Sequence, residues 1–331
     1  MGNRKGTILI ASLWILAILS ILAAGIGFRV SLEARLAKYN MDGLRALYLA
    51  RAGAAKAMYL LSKKPTAAYD SMYECGIAFT PEEKSDPGKF KAIFNNSLGE
   101  GSFDVGYKEG GVSYSGISDE ERRININTAD QKTLEWLLTG EGADAAIASC
   151  IVQWRSPGPG LDDGYYEALP APYECKHQKF STIEELMLVK GMDQKLFDKI
   201  KDSITVYGST SKLNINTVSD RIMRACGLQE VTVELLINYR NGPDKIPGTK
   251  DDLPFQRVDD IENLFPILRD IAYANDLSII KNSFMTKSSC FRIGSEGIIG
   301  KSKIAKKVIY VVARDAKDAA GPFKPVYYSE E

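Results

Sequence analysis

The side chains of this chain that could do chemistry are aspartates that close two loops rich in Gly and Pro. Asp162 and Asp163 end the first loop, and Asp251 and Asp252 end the second, which also contains Asp244. Carboxylate and carbonyl oxygens on a constrained loop suit Ca²⁺, which takes about 6 to 8 oxygen ligands. We therefore expect these five residues to be calcium ligands, with solvated loop carboxylates and helix caps as the alternative.

Neither loop has the ligand spacing of an EF-hand. The calcium expected here would be structural, because it would pin loops that lack a core of their own. Other reactive groups are sparse. His177 is the only imidazole, and the sequence contains no G-x-S-x-G or H-E-x-x-H motif, so His-dependent hydrolysis has no support. We predict no catalytic residues and no enzymatic activity.

The cysteines do not follow the spacing of a zinc site, since none belongs to a C-x-x-C motif. The five are scattered along the chain: Cys75, Cys150, Cys175, Cys226 and Cys290. If most of the chain is exported, disulfides can form. Cys150 and Cys175 flank one loop and are the predicted pair.

The overall charge gives no sign of a polyanionic partner. The 331 residues contain 42 Lys and Arg and 42 Asp and Glu, so the formal net charge is zero at pH 7. This balance is evidence against nucleic-acid binding, although a chain with zero net charge can still have local positively charged patches. The chain is long enough for two domains, or for one domain with a large insertion.

The elements that must position these residues begin with an apolar N-terminal segment. Residues 7–28 contain no charged side chain, and as a helix they would span the roughly 30 Å of a bilayer core. Residues 29–64 contain no Pro and carry leucines such as Leu36 and Leu44 at helical spacing. They predict an amphipathic continuation that packs on a globular head. A cleaved secretion signal is the alternative.

A basic leader that ends in Gly, followed by this helix, resembles the processing signal of type IV pilins and type II secretion pseudopilins. The resemblance implies that a prepilin peptidase cuts after Gly6 and methylates the new amino terminus at Thr7. Most of that family has Glu at the fifth mature position, where this chain has Ala11. The missing Glu is typical of the general secretion pathway protein K family, and it implies a subunit at the tip of the filament.

The middle of the chain contains an internal duplication. RININT at 123–128 and KLNINT at 212–217 share x-N-I-N-T, and each precedes helical patterns, a Gly/Pro loop with paired aspartates and an acidic helix start. The first copy has a longer loop before its last helix. We predict two helical modules, at about 122–206 and 211–283, in which Asn or Thr of the motif caps the following helix.

These modules also resemble helix-hairpin-helix units, whose Gly turn offers backbone N–H groups to a DNA phosphate. VKGM at 189–192 would be that turn, but acidic residues surround it, and the other copy has Phe265 and Pro266 instead. A membrane-anchored DNA-binding protein of the competence type is therefore the alternative function. We do not expect a nucleic-acid partner.

Two segments that flank the duplication predict antiparallel hairpins. Residues 101–118 alternate around a Gly-Gly turn, and residues 290–313 contain the strongest strand pattern. Strands on both sides of a helical region indicate an insertion. DDGYY at 162–166 and FSTIEEL at 180–186 also follow the protein K pattern, which implies a pilin-type α/β head whose inserted helical domain binds calcium.

The predicted fold class is α+β. It combines a long N-terminal transmembrane and amphipathic helix, a pilin-like antiparallel sheet, and a large inserted helical domain of duplicated SAM-like or helix-hairpin-helix-like modules. The predicted boundaries are a leader at 1–6, a transmembrane helix at 7–28, its amphipathic continuation at 29–64, the first part of the head at 65–121, the insert at 122–283 and the C-terminal strands at 284–331.

The resemblance implies a minor pseudopilin of a type II secretion system, held in the inner membrane of a Gram-negative bacterium with its head in the periplasm. Its partners would be other minor pseudopilins, in a tip complex that initiates or caps the pseudopilus, together with the prepilin peptidase and the inner-membrane secretion platform. Its role in the export of folded proteins across the outer membrane would be structural.

Overall fold

Helix α1 forms the N-terminal part of the chain. In the computed structural model, which describes residues 4–63, 69–74, 92–109, 112–160, 162–300, 302–314 and 323–331, α1 spans Arg4–Lys63. Side chains are described from residue 8 onward, and all residues from 8 to 41 are exposed. The single continuous helix expected from the sequence is confirmed. Its exposed part contains an apolar stretch long enough to cross a membrane.

An antiparallel sheet packs against the C-terminal part of α1. In chain order the strands of the described residues are β1 Asn95–Leu98, β2 Gly101–Glu109, β3 Val112–Ser115, β4 Ser118–Asp119, β5 Ile124–Asn125, β6 Ile204–Thr205, β7 Leu213–Asn214, β8 Phe284–Met285, β9 Cys290–Ile299, β10 Ile304–Ala313 and β11 Lys324–Glu330. The sheet order is β1-β2-β9-β10-β11, with β3 added to β2 and β4 to β9. The two predicted hairpins, β2–β3 and β9–β10, are confirmed.

A helical region lies between β4 and β9 in sequence, although β2 and β9 are neighbours in the sheet. The chain therefore leaves the sheet, builds this region and returns. Its α-helices are α2 Gln131–Gly140, α3 Ala146–Arg155, α4 Asp163–Glu167, α5 Gln194–Ile200, α6 Asp220–Ala225, α7 Glu230–Arg240, α8 Ile261–Leu264 and α9 Ala274–Ser283. One apolar core fills the helical region, and a separate core lies between α1 and the sheet.

The two copies of the x-N-I-N-T motif each open a module that closes with a short parallel pairing. β5 pairs with β6, and β7 pairs with β8. The Asn127 side chain donates to the carbonyl of Phe180 at 3.0 Å and accepts the Phe180 amide at 2.8 Å. Asn216 makes the same two bonds with Phe255, at 2.9 and 2.8 Å. In each copy the second Asn therefore fixes a distant segment to the strand.

The prediction that Asn or Thr of this motif caps the following helix is wrong. Helix α2 is capped by Asp130, whose carboxylate accepts the Thr133 amide, and α6 is capped by Ser219, whose hydroxyl accepts the Ile222 amide. The reason is that the amides of the motif already bond the backbone of the distant segment, so residues further along must satisfy the first free N–H groups.

Helix α1 approaches β9 so closely that only small residues fit between them. A Cβ on Gly297 would lie 2.0 Å from the carbonyl oxygen of Ala46 and 2.5 Å from the nitrogen of Ala50. A Cβ on Gly53 would lie 2.3 Å from Ser295 Oγ. Both contacts exclude a side chain, since real Cβ atoms do not approach within 3.0 Å. The packed face of α1 is accordingly rich in alanine.

Three consecutive acidic residues join the helical region to the sheet. Asp119, in β4, accepts with Oδ2 from Asn214 Nδ2 at 2.9 Å and from Thr217 Oγ1 and Ser288 Oγ at 2.7 Å. Its Oδ1 accepts the amide of Glu121 at 2.8 Å. One carboxylate thus ties β4 to the second motif and to the segment that returns to β9.

The next two acids extend this joint. Glu120 forms a two-pronged ion pair with Arg292 of β9, at 2.8 Å for each oxygen, and accepts the Thr205 hydroxyl at 2.6 Å. Burial raises the pKa of Glu120, but the positive charges of Arg123 and Arg292 outweigh the effect of burial and lower the pKa to about 2. Glu121 accepts the amide and the hydroxyl of Ser289, at 2.6 and 2.9 Å. All three acids are buried.

The first prediction concerns the contact between α1 and β9. Gly297→Ala places a methyl group against the helix backbone, and overpacking of this kind costs about 1–3 kcal/mol. We expect a lower urea midpoint for the purified full chain. Gly300→Ala is the control, since a Cβ there would lie 3.9 Å from its nearest neighbour, Glu100 O. Equal midpoints for the two variants would show that the close approach is absent.

The second prediction concerns pH. Burial raises the pKa of Glu121 to about 7, with Asp119 adding to the shift, and burial raises the pKa of Asp70 to about 7. Because these folded values lie above the ordinary ones, the stability they contribute is fully present below about pH 4 and is lost as pH rises through about 7. We expect the urea midpoint to fall between about pH 5 and pH 8.

A matched pair of variants tests this assignment. Glu121→Gln removes the titrating group but keeps an oxygen that can accept the Ser289 amide and adds an NH₂ that can donate to the Ser289 hydroxyl, so the fall in the urea midpoint should become smaller. Glu296→Gln changes an exposed acid on β9 and should leave the fall unchanged. An unchanged fall in Glu121→Gln would contradict the prediction.

Candidate functional site

The first candidate site is the exposed face of α1. Leu36, Leu44 and Tyr48 are 54, 57 and 64% exposed, whereas Ala46 and Ala50 are fully buried against the sheet. The expectation that the leucine face packs on the head is therefore wrong for these residues. For Leu44 and Tyr48 the reason is steric, because the face of α1 that lies closest to β9 is lined by alanines. Leu36 lies in the part of the helix that is exposed throughout.

The predicted processing site lies at the start of α1. Gly6 and Thr7 belong to the helix, but their side chains are outside the described part of the chain, as are residues 1–3 of the predicted leader. Ala11 is exposed on the helix. Cleavage after Gly6 remains a prediction.

The aspartates of the first loop face different partners and do not converge. Asp162 Oδ1 lies 2.6 Å from Lys190 Nζ, and this bond lowers the pKa of Asp162. Asp163 Oδ2 accepts the Gly160 amide at 2.8 Å and lies 3.1 Å from His177 Nε2. An ammonium group on one carboxylate and an imidazole on the other do not form a cage of oxygen ligands for calcium.

The predicted disulfide between Cys150 and Cys175 is absent from the structure, in which both are free cysteines. Cys150 Sγ lies 3.5 Å from Asp162 Oδ2. Cys175 instead joins Asp163 and His177 in a group whose ligand atoms all lie within 4.8 Å of one another. The two thiols are therefore each directed toward a different aspartate. Cys75 lies outside the described residues.

The second loop has the oxygen-rich character expected of a calcium site. Thr249 Oγ1 lies 2.8 Å from Asp251 Oδ1, 3.2 Å from Asp244 Oδ2 and 3.5 Å from Asp252 Oδ1. It also lies 3.2 Å from the carbonyl oxygen of Ile246. A hydroxyl has one proton to donate, so four acceptors, three of them carboxylates, compete for a single hydrogen.

The backbone of this loop is shaped to hold the aspartates together. Gly242 has φ +64°, and a Cβ there would lie 2.1 Å from the carbonyl oxygen of Asp251, so glycine is required. Leu253 donates its amide to the Arg240 carbonyl at 2.8 Å and closes the loop. Burial raises the pKa of Asp252 to about 6, whereas the Thr249 hydroxyl lowers the pKa of Asp251. In the described residues the three aspartates are not all within 4.8 Å of one another.

The turn that resembles a DNA-binding hairpin uses its polar groups internally. The Lys190 amide donates to the Tyr166 hydroxyl at 3.2 Å, and the Met192 amide donates to the Val189 carbonyl at 3.1 Å. The Lys190 ammonium is bonded to Asp162. A phosphate at this turn would have to displace these bonds, so the geometry gives the DNA-binding alternative no support.

Sequence reasoning missed two features of the site. The ion-paired role of Lys190 gives no local signal, because its partner Asp162 lies 28 residues away. The group of Asp163, Cys175 and His177 was also missed. Its only signal is the C-x-H spacing of Cys175 and His177 within the longer loop of the first module.

Comparisons with known proteins agree with this architecture. A sequence model of the family described as "Type II secretion system (T2SS), protein K" matches residues 115–209. A curated relative, "Type II secretion system protein K" of Pectobacterium carotovorum subsp. carotovorum, is 27% identical over 153 residues, which cover 38% of this chain and 47% of the relative. The chain thus spans about half the length of that relative.

A solved structure is similar over most of the chain. It is a chain of "The Crystal Structure of the GspK-GspI-GspJ complex from enterotoxigenic Escherichia coli Type 2 Secretion System", with a TM-score of 0.62 and 15% identity. The match covers 89% of this chain and 99% of the other. At this identity the similarity supports the fold, and the predicted α+β class is confirmed.

Proposed function

We propose that this chain belongs to the type II secretion system protein K family, on the matches to residues 115–209, to a curated relative and to a solved structure, and that it is a minor pseudopilin that acts at the tip of the pseudopilus. There it forms a complex with other minor pseudopilins and initiates or caps the pseudopilus during the export of folded proteins. The observation that carries the proposal is α1, a single helix whose apolar N-terminal part is exposed while its C-terminal part packs on the sheet.

The partner surface is the large-residue face of α1. Leu36, Tyr39, Leu44 and Tyr48 are each more than half exposed, and apolar side chains of this size favour burial against another protein. A helix that presents such a face beyond its own sheet suits helix-to-helix packing with neighbouring subunits. The chain similar in structure was crystallised with GspI and GspJ, which supports other minor pseudopilins as the partners here.

The position at the tip is supported by Ala11. A filament subunit with Glu at this place can pair its carboxylate with the amino terminus of a neighbour, and an unpaired charge in the bilayer is costly. With Ala11 the chain has no such group to offer to a subunit ahead of it. A terminal position also leaves room for the helical region, which would make a subunit inside the filament bulky.

The proposed function also implies a location for the chain and partners that process it. The one N-terminal apolar helix fits a single-pass membrane anchor. We place it in the inner membrane, with the head in the periplasm, after cleavage between Gly6 and Thr7 by the prepilin peptidase. The inner-membrane secretion platform would then extract the helix during assembly. We propose that the role of the chain itself is structural.

The third prediction tests the partner surface. In cells that lack their own copy, the full chain with Leu44→Glu should recover other minor pseudopilins about tenfold less well, which corresponds to about 1.4 kcal/mol of lost affinity. Secretion should fall in parallel. Ile271→Glu is the matched control, because Ile271 is 92% exposed but lies in the helical region. Equal recovery with the two variants would contradict the proposed surface.

Sequencing of the mature amino terminus separates this function from its alternatives. A start at N-methylated Thr7 supports the pseudopilin. A start near Ile26 would indicate a discarded secretion signal, and an unprocessed Met1 would indicate an ordinary membrane anchor. Either of these results would overturn the proposal.

We further propose that the second loop binds a structural Ca²⁺ through Asp244, Asp251 and Asp252. Asp244, Asp251 and Asp252 each accept one backbone amide, from Ile246, Asp244 and Gly248. The proposal is supported by their remaining oxygens, which all lie within 3.5 Å of the one Thr249 hydroxyl, because a cation would neutralise three carboxylates gathered around a single donor. Hard oxygen ligands of this kind suit calcium. The carboxylates of Asp162 and Asp163 face Lys190 and His177, so the proposal is confined to the second loop.

The fourth prediction concerns calcium. Adding Ca²⁺ at about 100 times its dissociation constant should stabilise the purified full chain by about 2.7 kcal/mol, and EGTA should reverse the effect. Asp251→Asn should abolish the shift in urea midpoint. Asp259→Asn is the control, because Asp259 is an acid of the same module with a 72% exposed side chain. A shift that survives in Asp251→Asn would place calcium elsewhere.

A further inference from the structure

Asp163, Cys175 and His177 form a group of three different metal-ligating side chains. Asp163 begins α4, while Cys175 and His177 lie on the loop that follows it, separated by one residue. Their ligand atoms lie within 4.8 Å of one another, and no other group of three in the described residues meets this condition. The fold has therefore brought two separate segments to one point.

The hydrogen bonds of His177 leave its Nε2 nitrogen without a proton when the ring is neutral. His177 Nδ1 lies 3.2 Å from the carbonyl oxygen of Ser156, which can only accept, so the network assigns the proton of the neutral ring to Nδ1. Nε2 then presents a lone pair toward Asp163 Oδ2, 3.1 Å away. In this tautomer two acceptors face each other at this distance, and either a second ring proton on Nε2 or a metal cation between them would satisfy both.

The carbonyl bond also fits the way that proteins orient metal-bound histidines. A ligating His commonly donates its other ring N–H to a backbone carbonyl or a carboxylate, which fixes both the tautomer and the ring plane. Ser156 supplies that carbonyl from the end of α3. Nε2 is thereby aimed at the point where Asp163 and Cys175 also meet.

Glycine at position 160 keeps the space beside this group open. A Cβ on Gly160 would lie 3.1 Å from Gln153 Oε1, 3.2 Å from Asp163 Oδ1 and 3.6 Å from His177 Cε1. Gln153 Oε1 therefore lies on the same side as two of the three ligands. It, or a water molecule, could complete the four ligands that zinc prefers.

We propose that Asp163, Cys175 and His177 bind Zn²⁺. Thiolate, imidazole and carboxylate are the three ligand types of protein zinc sites, and sulfur and nitrogen disfavour calcium. The charges also balance, since one carboxylate and one thiolate offset the two positive charges of the ion. This site rests on side chains of the first module alone and stands whether or not the chain caps a pseudopilus.

This proposal differs from two expectations of the sequence analysis. The absence of a C-x-x-C pair argued against a zinc site, but a zinc site can also be assembled from a C-x-H segment and a distant acid. The first loop was expected to bind calcium as the second does. The insertion between α4 and Phe180 instead supplies sulfur and nitrogen ligands that the second module lacks.

Cobalt replaces zinc in the test, because Co²⁺ reports its ligands by absorption. The purified full chain, reduced and freed of metal, is titrated with Co²⁺ in the presence of excess Ca²⁺. We expect one equivalent to bind with a thiolate-to-cobalt charge-transfer band and tetrahedral d–d bands, and one equivalent of Zn²⁺ to remove them. Cys175→Ser should abolish the charge-transfer band, and His177→Ala should weaken Zn²⁺ binding by tenfold or more.

Matched variants identify the sulfur ligand. Cys150→Ser removes the nearby thiol and should leave the charge-transfer band intact, and Gln178→Ala changes the residue next to His177 and should leave Zn²⁺ affinity unchanged. Circular dichroism of each variant checks that it is folded. If Cys175→Ser does not fold, alkylation of Cys175 in the native chain takes its place, and Zn²⁺ should protect this thiol from the reagent.

Three results would overturn the proposal. One is a Co²⁺ spectrum without a thiolate band in the reduced native chain. Another is a band that persists in Cys175→Ser. The third is a thiol titration of the chain purified from its own compartment that shows Cys175 in a disulfide with Cys150, since an oxidised sulfur cannot bind the ion.

Discussion

The burial of three consecutive acids, Asp119, Glu120 and Glu121, is the constraint on which the rest of the head depends. A buried carboxylate is tolerated only when donors or cations surround it. Here the donors come from the second motif, from β9 and from the segment that returns to β9. The helical region and the sheet therefore satisfy each other's polar groups. Moving one away from the other would leave buried charges without partners, so the two are expected to behave as one body.

Strand β9 connects these buried acids to helix α1. At its start Arg292 holds Glu120, and toward its end Gly297 lies directly under the backbone of α1. The same strand thus contacts the joint of the helical region and the packed face of α1. Because the closest contact with α1 is made by alanines and glycines, Leu44 and Tyr48 point away from the head, whereas Leu61 near the end of the helix is buried in the core. The exposed face of α1, which we propose as the partner surface, is therefore a consequence of how closely the helix packs on the strand.

Local patterns allowed much of this fold to be predicted from the sequence. These patterns involve residues that are close together in the sequence: the apolar run predicts α1, the alternation predicts β2 and β9, and the repeated x-N-I-N-T motif predicts the two modules. The features that could not be predicted depend on distant partners. The burial of Asp119, Glu120 and Glu121 has no signal among neighbouring residues, because it depends on donors from residues 214 to 292. The exposed leucines of α1 were misassigned for the same reason, since the position of Gly297 decides which face can pack.

The duplication explains why the two acidic loops can differ in chemistry. In both modules the Asn side chain and the Phe backbone form the same pair of bonds, so the frame around each loop is held without help from the loop itself. Loops supported in this way tolerate insertions, because closing a longer loop adds little entropic cost. The second loop remains short and all-oxygen, whereas the first has gained the segment with Cys175 and His177. The two metal sites that we propose, for calcium in the second loop and for zinc in the first, would each stiffen a segment that has little apolar core of its own.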